Sequence, residues 1–198
     1  MSKGKILFQL SGSIACYKAC ALISKLIQND FEVQTVATSS ALEFIGRSTL
    51  EGLTGRPPFV NLYESQRAMD HIHLSRWADL ALVCPASAST LNKLALGLGD
   101  DAIGTLFLSY EIGHKPYWIA PAMNHKMFLH PATQDSLRKL QAWGIKILYP
   151  ETGHQACGEE GPGRLMEPET MYAAILKHFS AQGPQIPEKL LDGARDDS

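Results

Sequence analysis

"DLALVCPASAST", residues Asp79 to Thr90, decides the fold class. Its first half, Leu80-Ala81-Leu82-Val83-Cys84, is apolar without interruption and ends at Pro85. A short continuous apolar run bounded by a charge and a proline reads as a strand covered on both faces of a parallel sheet. Its second half, Ala86 to Thr90, is small and rich in hydroxyls. In an open parallel sheet, ligands bind beyond the carboxyl ends of the strands. One stretch therefore carries both a piece of scaffold and a piece of candidate site.

The pairing of apolar run and polar sequel recurs. Lys5–Leu10, Glu32–Thr38, Asp79–Pro85, Lys115–Pro121 and Ile145–Pro150 read as buried strands. Between them, Ala15, Ala19, Leu22, Ile23 and Leu26 keep a helical rhythm over Ala15–Asn29. Asn92, Leu94, Ala95 and Leu98 predict a second helix, and Leu106, Phe107 and Tyr110 a third. A fourth begins at Pro131 and stops at Gly144, proline near the start and glycine past the end. Alternating strands and helices imply right-handed β-α-β units and an open parallel sheet, the α/β class.

At 198 residues, 45% hydrophobic and 19% charged, the chain suits one domain with one core. We expect that domain over residues 1–180 and a flexible tail over 181–198, where the sequence turns Pro/Gly-rich and then charged. A net charge of -2 argues for neither nucleic acid nor an anionic membrane as partner. No run approaches the roughly 20 apolar residues of a membrane span. The opening "MSKGKILFQL" lacks a signal-peptide pattern. Cys16, Cys20, Cys84 and Cys157 form no C-x-x-C pair, so we expect a reduced, cytoplasmic protein. No metal is expected. Cys16 and Cys20 supply two ligands at most, and His71 and His73 share a face only on an extended segment, with no third ligand at suitable spacing.

The strand sequels hold the candidate chemistry. "SGSIA" (Ser11–Ala15) is neither a Walker A loop nor G-x-G-x-x-G. Alone it is equally a serine-capped turn. With "TSSA" and "PASAST" at the next two strand ends, it suggests a cradle for a mononucleotide phosphate. In "PAMN", Asn124 is a ligand for a carboxylate or carbonyl, or the N-cap of a following turn. In "MDHIHLSRWADL", His71 and His73 each read as a polar loop residue before a helix. In "ETGHQACGEEGPGR", Gly153, Gly158, Gly161 and Gly163 make a permissive flap, a candidate lid that excludes water. Its Cys157 is a nucleophile, a proton donor or inert. Its Arg164 binds an anion or pairs with Glu159 or Glu160, and those two glutamates read as a solvated cluster.

Taken in order, "SGSIACYK", "HIHLSRWAD", "PASAST", "PAMN" and "ACGEEGPGR" resemble one family, the homo-oligomeric flavin-containing cysteine decarboxylases. The resemblance covers about Lys5 to Phe179 and is strongest to the branch serving coenzyme A biosynthesis. It implies a three-layer Rossmann-like, flavodoxin-like fold. It implies FMN held by Gly12, Ser13 and Ile14, by Thr38, Ser39 and Ser40, by Ser87, Ala88, Ser89 and Thr90, and by Ala122. Ser89 stands where the family often has asparagine. His71 falls on the family's active-site base, Asn124 on the residue binding the substrate carboxylate, and Cys157 on the proton donor; Met123, Gly158 and Arg164 are the further substrate contacts.

The implied substrate is 4′-phosphopantothenoyl-L-cysteine. A cysteine carboxylate has no electron sink. Oxidation of the thiol to a thioaldehyde puts C=S β to the carboxylate, so CO2 leaves to give an ene-thiolate, which is then re-reduced to 4′-phosphopantetheine. A thiol of reference pKa about 8.5 is a reasonable proton donor for that last step. The resemblance further implies a homotrimer or trimer-based dodecamer with the site at a subunit interface, and a phosphopantothenate–cysteine ligase as a separate partner. Two other functions share most of these strings: a peptidyl-cysteine decarboxylase, which would not require Cys157, and a non-catalytic FMN-binding regulatory subunit.

Overall fold

A computed structural model describes residues 2–63, 69–154 and 158–181. The chain runs β1 (Gly4–Leu10), α1 (Cys16–Gln28), β2 (Phe31–Ala37), α2 (Ser39–Leu42), α3 (Arg47–Thr54), α4 (Asp70–Trp77), β3 (Leu80–Ala86) and α5 (Ala88–Leu96). It continues with α6 (Ala102–Ser109), β4 (Tyr117–Pro121), α7 (His125–Leu129), α8 (Pro131–Ala142), β5 (Lys146–Ile147), β6 (Glu151–His154), β7 (Glu160–Arg164) and α9 (Pro168–Ala181).

Strands β1 to β5 form one parallel sheet in the order β2-β1-β3-β4-β5. This is the flavodoxin-like order, whose switch point lies between β1 and β3. The uninterrupted apolar run of β3 is explained by its central place, because successive side chains enter opposite cores. Leu80, Leu82 and Cys84 join one cluster with Ile6, Phe8 and Leu10 of β1, packed under α1 and α9. Ala81 and Val83 join the other with Leu7, Tyr117 and Ile119, packed under α5, α6 and α8. Leu82 is wholly buried, so cutting it to alanine would cost about 2–5 kcal/mol through lost transfer energy and a residual cavity.

The helices expected over Ala15–Asn29 and from Pro131 appear as α1 and α8, the latter with Pro131 in its first turn. The sequence pattern left α2, α3, α4, α7 and α9 undeclared. α4, expected as loop, is a helix of eight residues burying only Ser75, so it has little apolar periodicity to betray it. The last strand is shorter than expected: β5 pairs with β4 at Lys146 and Ile147, followed by one backbone bond from the Leu148 N–H to the Ile119 carbonyl (2.8 Å).

The glycine-rich flap is a ribbon rather than a loop. β6 and β7 pair antiparallel, with Gly153 opposite Gly161 and Thr152 opposite Pro162. Glycine and proline depress strand propensity, and a two-stranded ribbon tolerates them because each strand has an open edge. Among the described residues no helix is long and apolar enough to cross a membrane. Most of the expected tail, residues 182–198, lies outside the described residues.

Candidate active site

Three loops at the carboxyl ends of β1, β2 and β3 are tied together by buried contacts. Ser11 is fully buried. Its Oγ donates to the Pro85 carbonyl (2.8 Å) and accepts from the Ser87 N–H (2.8 Å), fastening the β1–α1 loop to the β3–α5 loop. Gly12 lies so close to the β2–α2 loop that an added Cβ would meet the Ser40 Cβ at 2.7 Å. Two of the loops cap helices: Thr38 Oγ1 accepts from the Ala41 N–H (3.1 Å) at α2 and Ser87 Oγ from the Thr90 N–H (3.3 Å) at α5, while Ser13 Oγ accepts from the Ala15 N–H (3.2 Å) in the turn before α1. Serine, threonine and small residues are what such N-termini require. The amides they leave over face an anion favourably.

Two clefts of about 900 and 750 Å³ meet over these loops, sharing Gly12, Ser87, Ala88 and Met127. The first also holds Ser13, Ile14, Ala122, Met123, Asn124 and Arg164. The second holds Thr38, Ser39, Ser40, Ser89 and Thr90. Together they gather every residue expected to bind FMN and three of the expected substrate contacts. The groove fits a flavin mononucleotide in kind. Hydroxyls and helix N-termini suit the phosphate, and the exposed Ile14 and Met127 present apolar surface to a flat ring.

The ribbon closes one side. Met123 N–H donates to the Gly163 carbonyl (3.0 Å), and Gly161 is pressed so tightly on α7 that a Cβ there would meet the His125 Cβ at 2.8 Å. Asn124 combines both roles open to it. Its Oδ1 accepts from the Lys126 N–H (2.8 Å) as the cap of α7, and its Nδ2 donates to Glu159 Oε2 (2.7 Å). Lys126 Nζ reaches the other oxygen of that carboxylate at 2.9 Å, and His125 Nδ1 lies 3.5 Å from Oε2. Glu159 is therefore not simply solvated. The Asn124 amide, then the Lys126 ammonium, hold its carboxyl down to about 2.

Arg164 pairs neither with Glu159 nor with Glu160. Its guanidinium bonds Glu167 and lies 3.8 Å from Glu151, and Lys18 bonds the same Glu167 at 2.7 Å. The Lys18 ammonium, followed by Arg164, keeps the Glu167 carboxyl below its usual range. Lys18, Tyr17 and Glu167 line the first cleft and were missed in the sequence; Lys18 was findable, because it lies in the first turn of the helix that follows the "SGSIA" loop.

Two expected residues stand apart. Gly158 lines neither cleft, and nor does His71. His71 lies in the first turn of α4, where its carbonyl accepts from Ser109 Oγ (3.2 Å) and its buried Nδ1 has no partner among the described residues. His73 points elsewhere, since positions two apart on a helix diverge by about 200°. Among the described residues no three metal-ligating side chains gather. Cys157 lies outside the described residues.

A family model described as Flavoprotein matches residues 1–180. The coenzyme A biosynthesis bifunctional protein CoaBC of Vibrio vulnificus (strain YJ016) is 40% identical over 177 residues, 88% of this chain and 43% of that protein. CoaBC of Bacillus subtilis (strain 168) is 38% identical over 184 residues, 92% of this chain and 45% of that protein. The chain thus spans under half the length of these curated relatives. Among solved structures, a cysteine-to-serine mutant of PPC decarboxylase complexed with pantothenoylaminoethenethiol superposes with a TM-score of 0.79 at 30% identity, covering 89% of this chain and 98% of that one. The FMN binding protein AtHal3 does so with a TM-score of 0.79 at 31% identity, covering 91% and 99%. With its strand order, its hydroxyl-lined groove and these matches, the chain belongs to the Flavoprotein family.

Proposed function

We propose that this protein is an FMN-dependent decarboxylase that converts 4′-phosphopantothenoyl-L-cysteine to 4′-phosphopantetheine in coenzyme A biosynthesis. The carrying observation is that Asn124 holds a carboxylate at the rim of the groove formed by the three hydroxyl-bearing loops. Likeness to PPC decarboxylase over 98% of its chain supports the same substrate class.

Ser13, Ser40, Ser87 and Thr90, with the first amides of α1 and α5, are the residues that would hold the FMN phosphate. Bound there, FMN supplies the two-electron oxidation of the substrate thiol and the later return of hydride. Asn124 orients the substrate carboxylate through a neutral amide. That choice matters, because a cation in the same place would stabilise the charged ground state and oppose loss of CO2. The ribbon β6–β7 excludes water from the groove. Cys157 delivers the proton that completes reduction of the ene-thiolate.

His71, which lines neither cleft in its own chain, is proposed to act in the groove of a neighbouring copy, in a homotrimer or trimer-based dodecamer. A phosphopantothenate–cysteine ligase, in cis or in trans, supplies the substrate. Mass spectrometry of 4′-phosphopantothenoyl-L-cysteine incubated with FMN-loaded protein tests the reaction. Loss of CO2 with a saturated product is expected. An ene-thiol product, or turnover of a C-terminal cysteine peptide alone, would refute it. Cys157→Ser should still release CO2 and stall before the saturated product.

A further inference from the structure

The amide expected to bind the substrate carboxylate already binds one. Asn124 Nδ2 donates to Glu159 Oε2 at 2.7 Å, and the orientation of that amide is set independently, because Oδ1 accepts the Lys126 N–H that it caps. The NH2 group is thereby aimed away from α7 as a donor for an anion. Glu159 is carried to it by the ribbon, which touches this end of α7 at two further points: Met123 N–H on the Gly163 carbonyl, and Gly161 against the His125 side chain. The second oxygen of the same carboxylate sits 2.9 Å from Lys126 Nζ, whose side chain is 74% exposed.

We infer that Glu159 occupies the seat of the substrate's carboxylate on Asn124, so that productive binding is an exchange of one carboxylate for another. The inference rests on the proposed decarboxylase reading and adds Glu159 and Lys126 as specificity-determining residues. Lys126 is the tether. When Asn124 changes partner, the Glu159–Lys126 pair moves as a unit, and the ammonium remains compensated instead of turning toward the incoming carboxylate. A ligand without a carboxylate has nothing to offer Asn124 in return and leaves Glu159 in place. After CO2 departs, Glu159 returns to the vacated amide, which favours release of the carboxylate-free product.

The test uses the FMN-loaded full chain and two ligands that differ only in the carboxylate and cannot be oxidised: 4′-phosphopantothenoyl-L-serine and 4′-phosphopantothenoyl-ethanolamine. By calorimetry, Glu159→Ala should bind the serine ligand about tenfold more tightly than wild type, the scale of one charge-assisted hydrogen bond no longer in competition. Affinity for the ethanolamine ligand should not change. Unchanged or weakened binding of the serine ligand overturns the inference.

If wild type binds neither compound, the substrate reading fails and the seat is tested without it. Amide exchange over residues 158–164 is followed with N-acetyl-L-cysteine and with N-acetylcysteamine. The carboxylate-bearing probe should accelerate exchange in wild type, its counterpart should not, and Glu159→Ala should exchange fast with or without either. No acceleration by N-acetyl-L-cysteine overturns the inference.

Discussion

Removing one oxygen atom should loosen the whole groove. In Ser11→Ala the Oγ that joins two phosphate-facing loops is lost, and alanine fits the same space without a clash. The Pro85 carbonyl retains a second donor, the Ser11 N–H at 3.2 Å, so it is not stranded. The Ser87 N–H loses its 2.8 Å acceptor. Losing a neutral hydrogen bond costs about 1 kcal/mol, and leaving the part-buried Ser87 donor unmet adds about 1 kcal/mol, the low end for an unsatisfied group, so the destabilisation should be about 2 kcal/mol. For a chain of this size that lowers Tm by about 4–8 °C. Because Ser87 caps α5 at the centre of the groove, FMN affinity should fall at least tenfold, read by flavin fluorescence titration. A Tm within about 1 °C of wild type together with unchanged FMN affinity would refute the view that Ser11 holds the loops in register.

Ser89→Ala is the complement. Ser89 is exposed on the second cleft, so its substitution should leave Tm unchanged while weakening FMN several-fold in the same titration. Gly161→Ala places a Cβ 2.8 Å from His125 Cβ. It should lift the ribbon off α7 and lower kcat/KM at least tenfold with little change in thermal melting. In Gly104→Ala the new Cβ would run into the Leu98 carbonyl oxygen; overpacking of this kind costs about 1–3 kcal/mol, measurable by urea unfolding. Glu159 has its carboxyl lowered from 4.5 to about 2 by Asn124 and Lys126. A lowered carboxyl stabilises the folded ribbon fully above its unfolded value and loses that effect as pH falls through the folded one. Amide exchange over residues 158–164, normalised to intrinsic rates, should therefore stay slow at neutral pH and rise between pH 4.5 and about 2.

The centre of the sheet was legible because a strand buried on both faces is apolar almost without interruption, a pattern local in sequence and visible in Leu80–Cys84. α1 and α8 were legible for the analogous reason, each burying one periodic stripe. α4 and the ribbon were not. α4 buries one serine, and the ribbon is built from glycine and proline, so neither carries its own hydrophobic signature. Their conformations are set by what they pack against: Gly161 by His125, and the start of α4 by Ser109.

The candidate site divides in the same way. The small hydroxyl residues after β1, β2 and β3 could be placed from sequence, because ligands of a parallel sheet lie at its carboxyl edge and helix caps have strict side-chain requirements. By itself, then, the sequence determined the sheet, the loops that face a phosphate, and the family those loops resemble. Only the tertiary structure decided the pairings. It set Asn124 on Glu159 across 35 positions of chain, brought Lys18 to Glu167 across 149, and left His71 off the lining of both clefts. Periodicity reports what one segment buries. An ion pair or a shared groove depends on where two distant segments meet, and that is settled only when the sheet order and the packing of the ribbon are settled.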